Sequence, residues 1–329
     1  VQTCALPISA QIVRMRILNA SGERAFNFGF TANKPFKIIT SDGGLLNAPV
    51  TVTRLRLAPG ERAEILLDLN GMNGQVIQLM SYASELLMGI QGGPTMPMPS
   101  GPPMDSPLNG IDFNIMQITV VPQTTNPVTT IPASLTTNVA YSQIQANTTR
   151  TVRFTADSLM VMDGPFYFNG NSFDMMRIDY EIPLNNIEIW KIVNETMVAH
   201  PFHIHDVQFF LIDRNGNLPD AEERGRKDVV LVPSGDSVMF ITKFDDFTDT
   251  LVPFMYHCHI LMHEDGGMMG QFIVKPPTIA GIKNMTLNDI SVSIYPNPAH
   301  QILNINTTGI NETQDLELKI IDVLGKIVY

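Results

Sequence analysis

The chain has 329 residues, a length typical of two domains with well-buried cores. Its 21 basic and 32 acidic side chains give a formal net charge of −11, which argues against nucleic acid or an anionic membrane surface as a partner. A hydrophobic fraction of 44% excludes a disordered chain, and no apolar run approaches the roughly 18 residues of a membrane span, so membrane insertion is not expected. Two cysteines, Cys4 and Cys258, do not make a disulfide framework.

Short apolar or alternating segments recur along the chain, and residues that favour turns separate them. The segments predicted to be strands are 12–18, 50–57, 63–69, 115–121, 151–154, 187–193, 237–242 and 271–274. Turn signals between them include Ala58-Pro59-Gly60 and Asn169-Gly170-Asn171. Many short strands with such turns are typical of β-sandwiches and barrels, so the predicted fold class is all-β.

Changes in composition divide the chain into domains. A first domain is predicted over 9–122, with a loop rich in Gly, Pro and Met at 91–110. Residues 123–150 are rich in Thr, Asn and Pro and are predicted to form a linker. A second domain follows over 151–277, and a short β-like segment occupies 278–329.

The first eight residues, Val-Gln-Thr-Cys-Ala-Leu-Pro-Ile, back-translate into a sequence that matches a common short-read sequencing adapter. We therefore interpret residues 1–8, with Cys4, as an artefact, and expect the native chain to begin near Ser9. The alternative is an ordinary N-terminal octapeptide. On the first interpretation, the true N-terminus and any signal peptide are missing from the sequence.

Histidines are concentrated in one part of the chain: six of the seven lie between His200 and His263. They form two clusters, H-P-F-H-I-H at 200–205 and H-C-H-I-L-M-H at 257–263. Alternate side chains of a strand share a face, so the two imidazoles that flank Cys258 point to one side and its thiol to the other.

The first cluster shows a matching pattern. His203 and His205 form a second pair on one face, which meets the pair around Cys258 if the two strands are neighbours. His200 is offset from His203 by an odd number of residues, so it can turn to the other face and join Cys258.

The donor atoms of these clusters favour copper. A thiolate, two imidazoles and a weakly held thioether are the ligands of a blue-copper site, and Cys258, His200, His263 and Met268 supply that set. Zinc is the rival metal, but structural zinc usually takes more thiolates and would leave most of these imidazoles unused. A lone buried cysteine or histidine is usually structural, but the number and spacing of these residues make that interpretation the weaker one.

The two histidine motifs closely resemble those of the third cupredoxin domain of the multicopper oxidases, the family of laccases, bilirubin oxidases and cuprous oxidases. The resemblance implies type 1 copper ligands at His200, Cys258, His263 and Met268. It implies a type 2 ligand at His203 and type 3 ligands at His205, His257 and His259. The segments at 16–19 and 41–46 are similar to the second cupredoxin domain, which carries no copper. The expected fold is therefore two cupredoxin-like Greek-key β-sandwich or barrel domains.

One departure from the family is large. The trinuclear copper cluster of the family uses eight histidines in four H-x-H pairs, and two of these pairs come from the first cupredoxin domain. No histidine precedes His200 here. We expect a truncated gene for a laccase-like oxidase, which oxidises phenolic or metal-ion donors and reduces dioxygen to water, and expect this fragment alone to be inactive. The alternative is a copper-binding or electron-transfer module with a blue-copper site and no oxidase activity.

Methionines raise the question of a cuprous-oxidase subtype, because thioethers suit Cu(I). The candidate residues are Met96, Met98, Met104, Met160, Met162, Met175 and Met176. Met also fills cores or decorates loops, which is the favoured interpretation here. In cuprous oxidases an Asp and a Met precede the first type 1 histidine, and Thr196 and Val198 stand at the similar positions, which weakens this subtype.

The reduction of dioxygen consumes protons, so a buried cluster needs an ionisable group to relay them. Glu264 follows the predicted ligand His263, and in several family members an acidic residue at this place has that role. Asp265 is the other candidate. The alternative is that both carboxylates face solvent or accept hydrogen bonds of the loop.

The tail has a resemblance of its own. The segments S-I-Y-P-N-P-A at 293–299 and K-I-I-D-V-L-G at 319–325 are similar to the C-terminal sorting domain of type IX secretion substrates. This implies a partial small β-sandwich over 278–329, truncated at Tyr329, with the type IX machinery as partner. It also implies export across the outer membrane of a Gram-negative bacterium to a secreted or cell-surface location. The alternative is an ordinary small β-domain or linker.

Overall fold

The computed structural model describes residues 4–95, 106–158, 161–276, 291–295, 301–308 and 319. Nearly all regular structure in these ranges is β, which confirms the predicted fold class. Residues 1–276 form one compact unit and residues 277–329 form another. Within the described ranges, no helix has both the length and the apolar character to span a bilayer.

The first β-domain is built from strands β1 to β9. Their bounds are β1 Cys4–Ser9, β2 Ile12–Leu18, β3 Phe26–Phe30, β4 Phe36–Ser41, β5 Gly44–Val52, β6 Leu55–Leu57, β7 Arg62–Asp68, β8 Val76–Ser81 and β9 Phe113–Val121. Single-turn 3-10 helices occur at Thr31–Asn33 and Ala83–Glu85. The sheets β1-β9-β8-β3-β6 and β2-β7-β4-β5 enclose one core, which includes Ile38, Ile65 and Ile118. The alternation of apolar residues along these strands places one face of each sheet in this core.

The second β-domain contains strands β10 to β20. Their bounds are β10 Thr148–Ala156, β11 Phe166–Phe168, β12 Tyr180–Pro183, β13 Ile187–Asn194, β14 His200–Ile204, β15 Phe209–Arg214, β16 Arg226–Lys227, β17 Val229–Val232, β18 Ser237–Lys243, β19 Asp249–Cys258 and β20 Met269–Lys275. Short helices occur at Gln143–Gln145, Ala221–Glu223 and, as helix α1, at Leu261–Asp265. The sheets β11-β10-β13-β18-β15-β16 and β12-β20-β19-β14-β17 pack on an aromatic core that includes Trp190, Phe202 and Phe240.

Two predicted boundaries differ from the structure. The segment 50–57, predicted as one strand, is divided between β5, which pairs with β4, and β6, which pairs with β3 in the other sheet. Arg54 lies at the crossing point, where its guanidinium is bound by Glu85, with Nε 2.6 Å from Oε2, and lies over the ring of Tyr82. The last residues of the predicted linker 123–150 belong to a strand, because β10 begins at Thr148 and pairs with β13.

The C-terminal unit is described through one antiparallel pair of strands, β21 Ser291–Tyr295 and β22 Asn304–Thr308. The motif at 319–325 lies almost entirely outside the described residues, as does Met-rich segment 96–105.

A buried charge cluster joins the first and second β-domains. Lys227 Nζ lies 2.9 Å from Asp42 Oδ2 and 3.0 Å from Glu61 Oε1, and all three side chains are buried. Burial lowers the pKa of Lys227, but the two carboxylates outweigh it and raise that pKa above its ordinary value. The ammonium therefore stays charged and compensates carboxylates that have been removed from water.

Lys227→Met should lower the free energy of unfolding by about 3–5 kcal/mol, because it leaves buried carboxylates without their cation. Lys275→Met is the matched control, since its partner Glu181 is 59% exposed and such a pair contributes roughly 0–1 kcal/mol. Urea unfolding of both variants measures the difference. Equal losses would contradict a structural role for the buried cluster.

Candidate metal centres

The pairing of β14 with β19 creates two separate clusters. The strands are antiparallel, with Phe202 opposite Cys258 and His203 opposite His257. Residues opposite each other point to the same face of a sheet, and successive residues point to opposite faces. The imidazoles of His203 and His257 therefore share one face, and the thiol of Cys258 lies on the other.

The first cluster consists of His200, Cys258 and His263. Cys258 Sγ lies 3.6 Å from His200 Nδ1 and 3.5 Å from His263 Nδ1, and the two nitrogens are 3.0 Å apart. The strands deliver the first two side chains, and α1 delivers His263. Donor atoms at these separations can bind one ion at roughly 2.0–2.3 Å.

A hydrogen bond orients His200 for metal binding. Its Nε2 lies 2.9 Å from Thr196 Oγ1, which also lies 2.8 Å from Asn194 Oδ1 and 3.0 Å from the carbonyl of Val198. The hydroxyl donates its one proton to these acceptors, so Oγ1 accepts a hydrogen bond from Nε2–H of His200. This tautomer leaves a lone pair on Nδ1, which points towards the thiol.

The surroundings of the first cluster are apolar. Met268 is fully buried beside Cys258, whose backbone N–H donates to the Met268 carbonyl at 3.1 Å, and the ring of Phe166 lies 4.6 Å from both imidazole rings. Burial raises the pKa of the Cys258 thiol and lowers the pKa of His263 to about 4. The metal-free cluster is therefore neutral near pH 7, and binding of a metal ion displaces the thiol proton.

The second cluster lies on the opposite face of β14 and β19. Donor atoms of His203, His205 and His257 all lie within 4.8 Å of one another, and the Nε2 atoms of His205 and His257 are 3.4 Å apart. The ring of His259 is adjacent but outside this group, with its centroid 5.7 Å from that of His203 and 5.6 Å from that of His257.

Outer partners orient two of these imidazoles. His203 Nδ1–H donates to the carbonyl of Asp228 at 2.8 Å. His257 Nδ1 lies 3.0 Å from the carbonyl of Cys258, to which it donates, and 3.3 Å from Glu264 Oε2. The predicted proton relay Glu264 therefore lies beside this cluster, whereas Asp265 is exposed. A histidine that donates from one ring nitrogen to a carboxylate or carbonyl offers the other nitrogen to a metal.

Sequence reasoning missed several groups around these clusters. The carbonyl of Asp228 and the hydroxyl of Thr196 were not predicted to bind imidazoles, and neither lies in a histidine motif. Asp206, directly after His205, was also missed: its carboxylate oxygens are buried without a hydrogen-bond partner among the described residues, and burial, with Asp246 and Asp245 nearby, raises its pKa to about 6. Its position directly after His203-Ile204-His205 is the signal that the sequence offers for Asp206. Its left-handed φ of 72° is the signal in the backbone.

The candidate methionines do not converge in the described structure. Met162 packs against the apolar core, while Met175 and Met176 are exposed by 76% and 88%. Met96, Met98, Met104 and Met160 lie outside the described residues.

The fold and the donor set define a class of protein. A buried thiol with two imidazole nitrogens and a neighbouring Met, held between two β-sheets, fits a blue-copper centre, whereas structural zinc favours four strong ligands. The side chains present therefore fit copper.

Comparisons with known proteins identify the family. The multicopper oxidase models match residues 9–83 and 131–278, and the model of a secretion system C-terminal sorting domain matches residues 293–329. The chain belongs to the multicopper oxidase family, whose metal is copper.

Three similar proteins illustrate the range of relatives. The chain is 31% identical over 266 residues to multicopper oxidase mco of Staphylococcus haemolyticus, covering 80% of this chain and 48% of that protein. It is 32% identical over 278 residues to cell division protein FtsP of Pectobacterium atrosepticum, covering 84% and 54%. The solved laccase-like multicopper oxidase CueO of Ochrobactrum sp. matches with a TM-score of 0.68 and 31% identity, covering 83% and 58%. The chain thus spans about half the length of the curated relatives it matches.

The metal-free chain should lose stability as the pH falls from about 6.5 to about 4. Between these pH values the buried imidazole of His263 stays neutral in the folded chain, whereas the same residue binds a proton in the unfolded chain. Its contribution to the free energy of unfolding is therefore complete above the pKa of the unfolded chain and is lost as the pH falls to the folded pKa of about 4. The loss from His263 is about 3 kcal/mol. Urea unfolding of the wild type and of His263→Asn across this range measures it. Identical pH slopes would contradict the burial of a neutral imidazole.

Proposed function

We propose that this chain is part of a copper oxidase that takes single electrons from a small phenolic or metal-ion donor and reduces dioxygen to water. The carrying observation is the sequence His257-Cys258-His259, in which peptide bonds join the residue that carries the thiol of the first cluster to two histidines that point to the other face. Bound copper supplies the one-electron redox chemistry. The proposed type 1 ligands are His200, Cys258, His263 and Met268; the proposed type 2 ligand is His203; the proposed type 3 ligands are His205, His257 and His259.

The route for electrons in this proposal follows the backbone. His263 is 6% exposed, but its neighbours Leu261 and Met262 in α1 are exposed by 54% and 63%. These two side chains form an exposed apolar surface beside the first cluster, against which an aromatic electron donor can bind. Electrons then pass from Cys258 through its flanking peptide bonds to the second cluster. The relative from Ochrobactrum is described as active towards lignin model compounds and lignosulfonate, which supports a phenolic donor.

Reduction of one dioxygen to two waters takes four electrons and four protons. The family's oxygen-reducing centre uses eight imidazoles, and this sequence supplies four candidates for it, His203, His205, His257 and His259. The proposed oxidase activity therefore belongs to the whole protein, and the chain as given should show little or no four-electron turnover.

A second candidate function is an electron-transfer or copper-binding module. The observation that favours it is the contrast between the two clusters: the first brings a thiol and two imidazoles together, whereas the second offers imidazoles only. The similarity to FtsP, which is named as a cell division protein, shows that this family is not confined to proteins named as oxidases. Oxygen consumption by the whole protein with a phenolic donor separates the two functions.

We also propose that the protein is exported through the type IX secretion machinery and reaches the outside of a Gram-negative cell. The match of residues 293–329 to a secretion sorting domain supports this location. Dioxygen and soluble donors are accessible there.

Cys258→Ser should abolish the intense blue absorption of the copper-loaded chain, because that absorption arises from a Cu(II)–thiolate bond. Cys4→Ser is the control and should keep the colour, since Cys4 is remote in sequence from both clusters. Absorption spectra after reconstitution with Cu(II) give the answer. A blue Cys258→Ser variant would refute the type 1 assignment.

Glu264→Gln in the whole protein should slow the reduction of dioxygen by about 10²-fold or more, while the blue absorption and the reduction of the type 1 copper stay nearly unchanged. The reason is the position of Glu264 Oε2 beside His257, where its pKa is raised by burial and by Asp265, which favours holding a proton for transfer. Stopped-flow spectroscopy separates the two rates. Asp265→Asn, at an exposed carboxylate, is the control.

Unchanged turnover of Glu264→Gln at full copper occupancy would remove this residue from the mechanism. A slow Asp265→Asn variant beside a normal Glu264→Gln variant would transfer the relay to Asp265.

A further inference from the structure

Arg62, the first residue of β7, makes contacts on both sides of the boundary between the two β-domains, beside the second cluster. Its Nη1 and Nη2 donate to Asp228 Oδ1 and Oδ2 at 2.5 and 2.8 Å, which is a two-bond pair across the domain boundary. The same guanidinium donates to the carbonyls of Gly60 at 3.2 Å and Asp42 at 2.9 Å. One side chain thus fixes the loop before β7 and the residue between β16 and β17.

Asp228 lies between Arg62 and His203. Its carboxylate is held by the guanidinium, and its carbonyl accepts the hydrogen bond from His203 Nδ1–H at 2.8 Å. The adjacent Lys227 is anchored to Asp42 and Glu61 of the first β-domain. The position of this carbonyl, and with it the tautomer and ring orientation of His203, therefore depends on contacts across the domain boundary.

Gly60 makes the second contact. Its φ is +83°, and a Cβ built on it would lie 2.5 Å from His259 Cδ2 and 2.6 Å from His259 Nε2. The backbone of this loop therefore lies directly against one edge of the imidazole, in a space that any side chain would fill.

We propose that Arg62 is a positioning residue through which the copper-free first β-domain sets the orientation of His203 and His259. It acts through the Asp228 carbonyl on His203 and through the Gly60 loop on His259. The inference rests on the proposed function, because it takes these two imidazoles as copper ligands. Arg62 makes no such contact with the first cluster in the described structure, where the ring of His200 is contacted by Thr196 and Phe166 of the second β-domain.

The first experiment uses Arg62→Gln with Cu(II) as the probe. Copper bound at the second cluster gives an EPR signal without blue absorption, so both clusters are followed in one titration. Loss of an outer hydrogen-bonding partner typically weakens metal binding by about 10–100-fold, and we expect that loss at the second cluster with unchanged blue absorption. In the metal-free chain, nitrogen NMR should show His203 as the Nδ1–H tautomer in the wild type and as a tautomer mixture in Arg62→Gln.

Arg150→Gln is the matched control. Arg150 makes an equally direct two-bond pair with buried Glu188, at 2.6 and 2.8 Å, and has no contact with the histidine clusters in the described structure. It should reproduce any general loss of stability and keep the His203 tautomer and the copper affinity of both clusters. If Arg62→Gln fails to fold, Asp228→Asn weakens the same pair in an almost identical shape and is measured in the same way.

The second experiment compares Gly60→Ala with Gly74→Ala. Both glycines have a φ of +83°, but a Cβ at Gly74 meets nothing within 4 Å. The left-handed φ is therefore matched, and the close approach to His259 distinguishes the two positions. Gly60→Ala should lower copper affinity at the second cluster by at least tenfold and leave the blue absorption, whereas Gly74→Ala should leave both.

Equal copper affinities for Arg62→Gln and Arg150→Gln, with the same His203 tautomer, would overturn the inference. So would equal affinities for Gly60→Ala and Gly74→Ala. A wild-type chain that develops no blue absorption would instead contradict the proposed function, and the tautomer of His203 in the metal-free chain would still decide whether Arg62 positions it.

Discussion

The register between β14 and β19 is the constraint on which both metal clusters depend. A shift of one residue in the pairing would turn every side chain of one strand to the other face and place imidazoles where the thiol now lies. The ladder is extended beyond the strand ends by His205 N–H, which donates to the Met255 carbonyl at 2.9 Å, and by His259 N–H, which donates to the Pro201 carbonyl at 2.7 Å. The backbone of His205 and His259 therefore itself helps to fix the register.

Aromatic packing keeps this pairing rigid. Phe202, between His200 and His203 on β14, packs against Trp190 and Tyr256 with ring centroids 6.4 and 6.0 Å away. The hydroxyl of Tyr256 donates to Asp179 Oδ2 at 3.0 Å, and the same oxygen accepts the backbone N–H of Gln271 from the next strand. The close-packed core holds the donor atoms 3.0–3.6 Å apart, which are separations that one bound ion can span.

Features that depend on local periodicity, such as strands and the faces of their side chains, can be predicted from the sequence. Features that depend on contacts between residues far apart in the chain cannot. The predicted strand 12–18 coincides with β2, and the face on which Cys258 lies follows from alternation along one strand. The division of 50–57 between two sheets is not encoded in its apolar pattern, which continues smoothly through the crossing. Arg62 and Asp228 are 166 residues apart, and no pattern of spacing predicts their pairing.

The two β-domains share one local turn, and in the second β-domain this turn also contacts a histidine of the first cluster. Asn19 directly follows β2, and Asn194 is the last residue of β13. Each uses its side-chain amide to donate to backbone carbonyls, while its Oδ1 accepts from the backbone N–H of the residue two positions later. In the first β-domain that residue is Ser21, whose hydroxyl donates to the carbonyl of Arg24. In the second it is Thr196, whose oxygen also accepts from His200 Nε2–H. The tautomer that leaves a lone pair on His200 Nδ1 is therefore set by a turn whose hydrogen bonds occur in both β-domains.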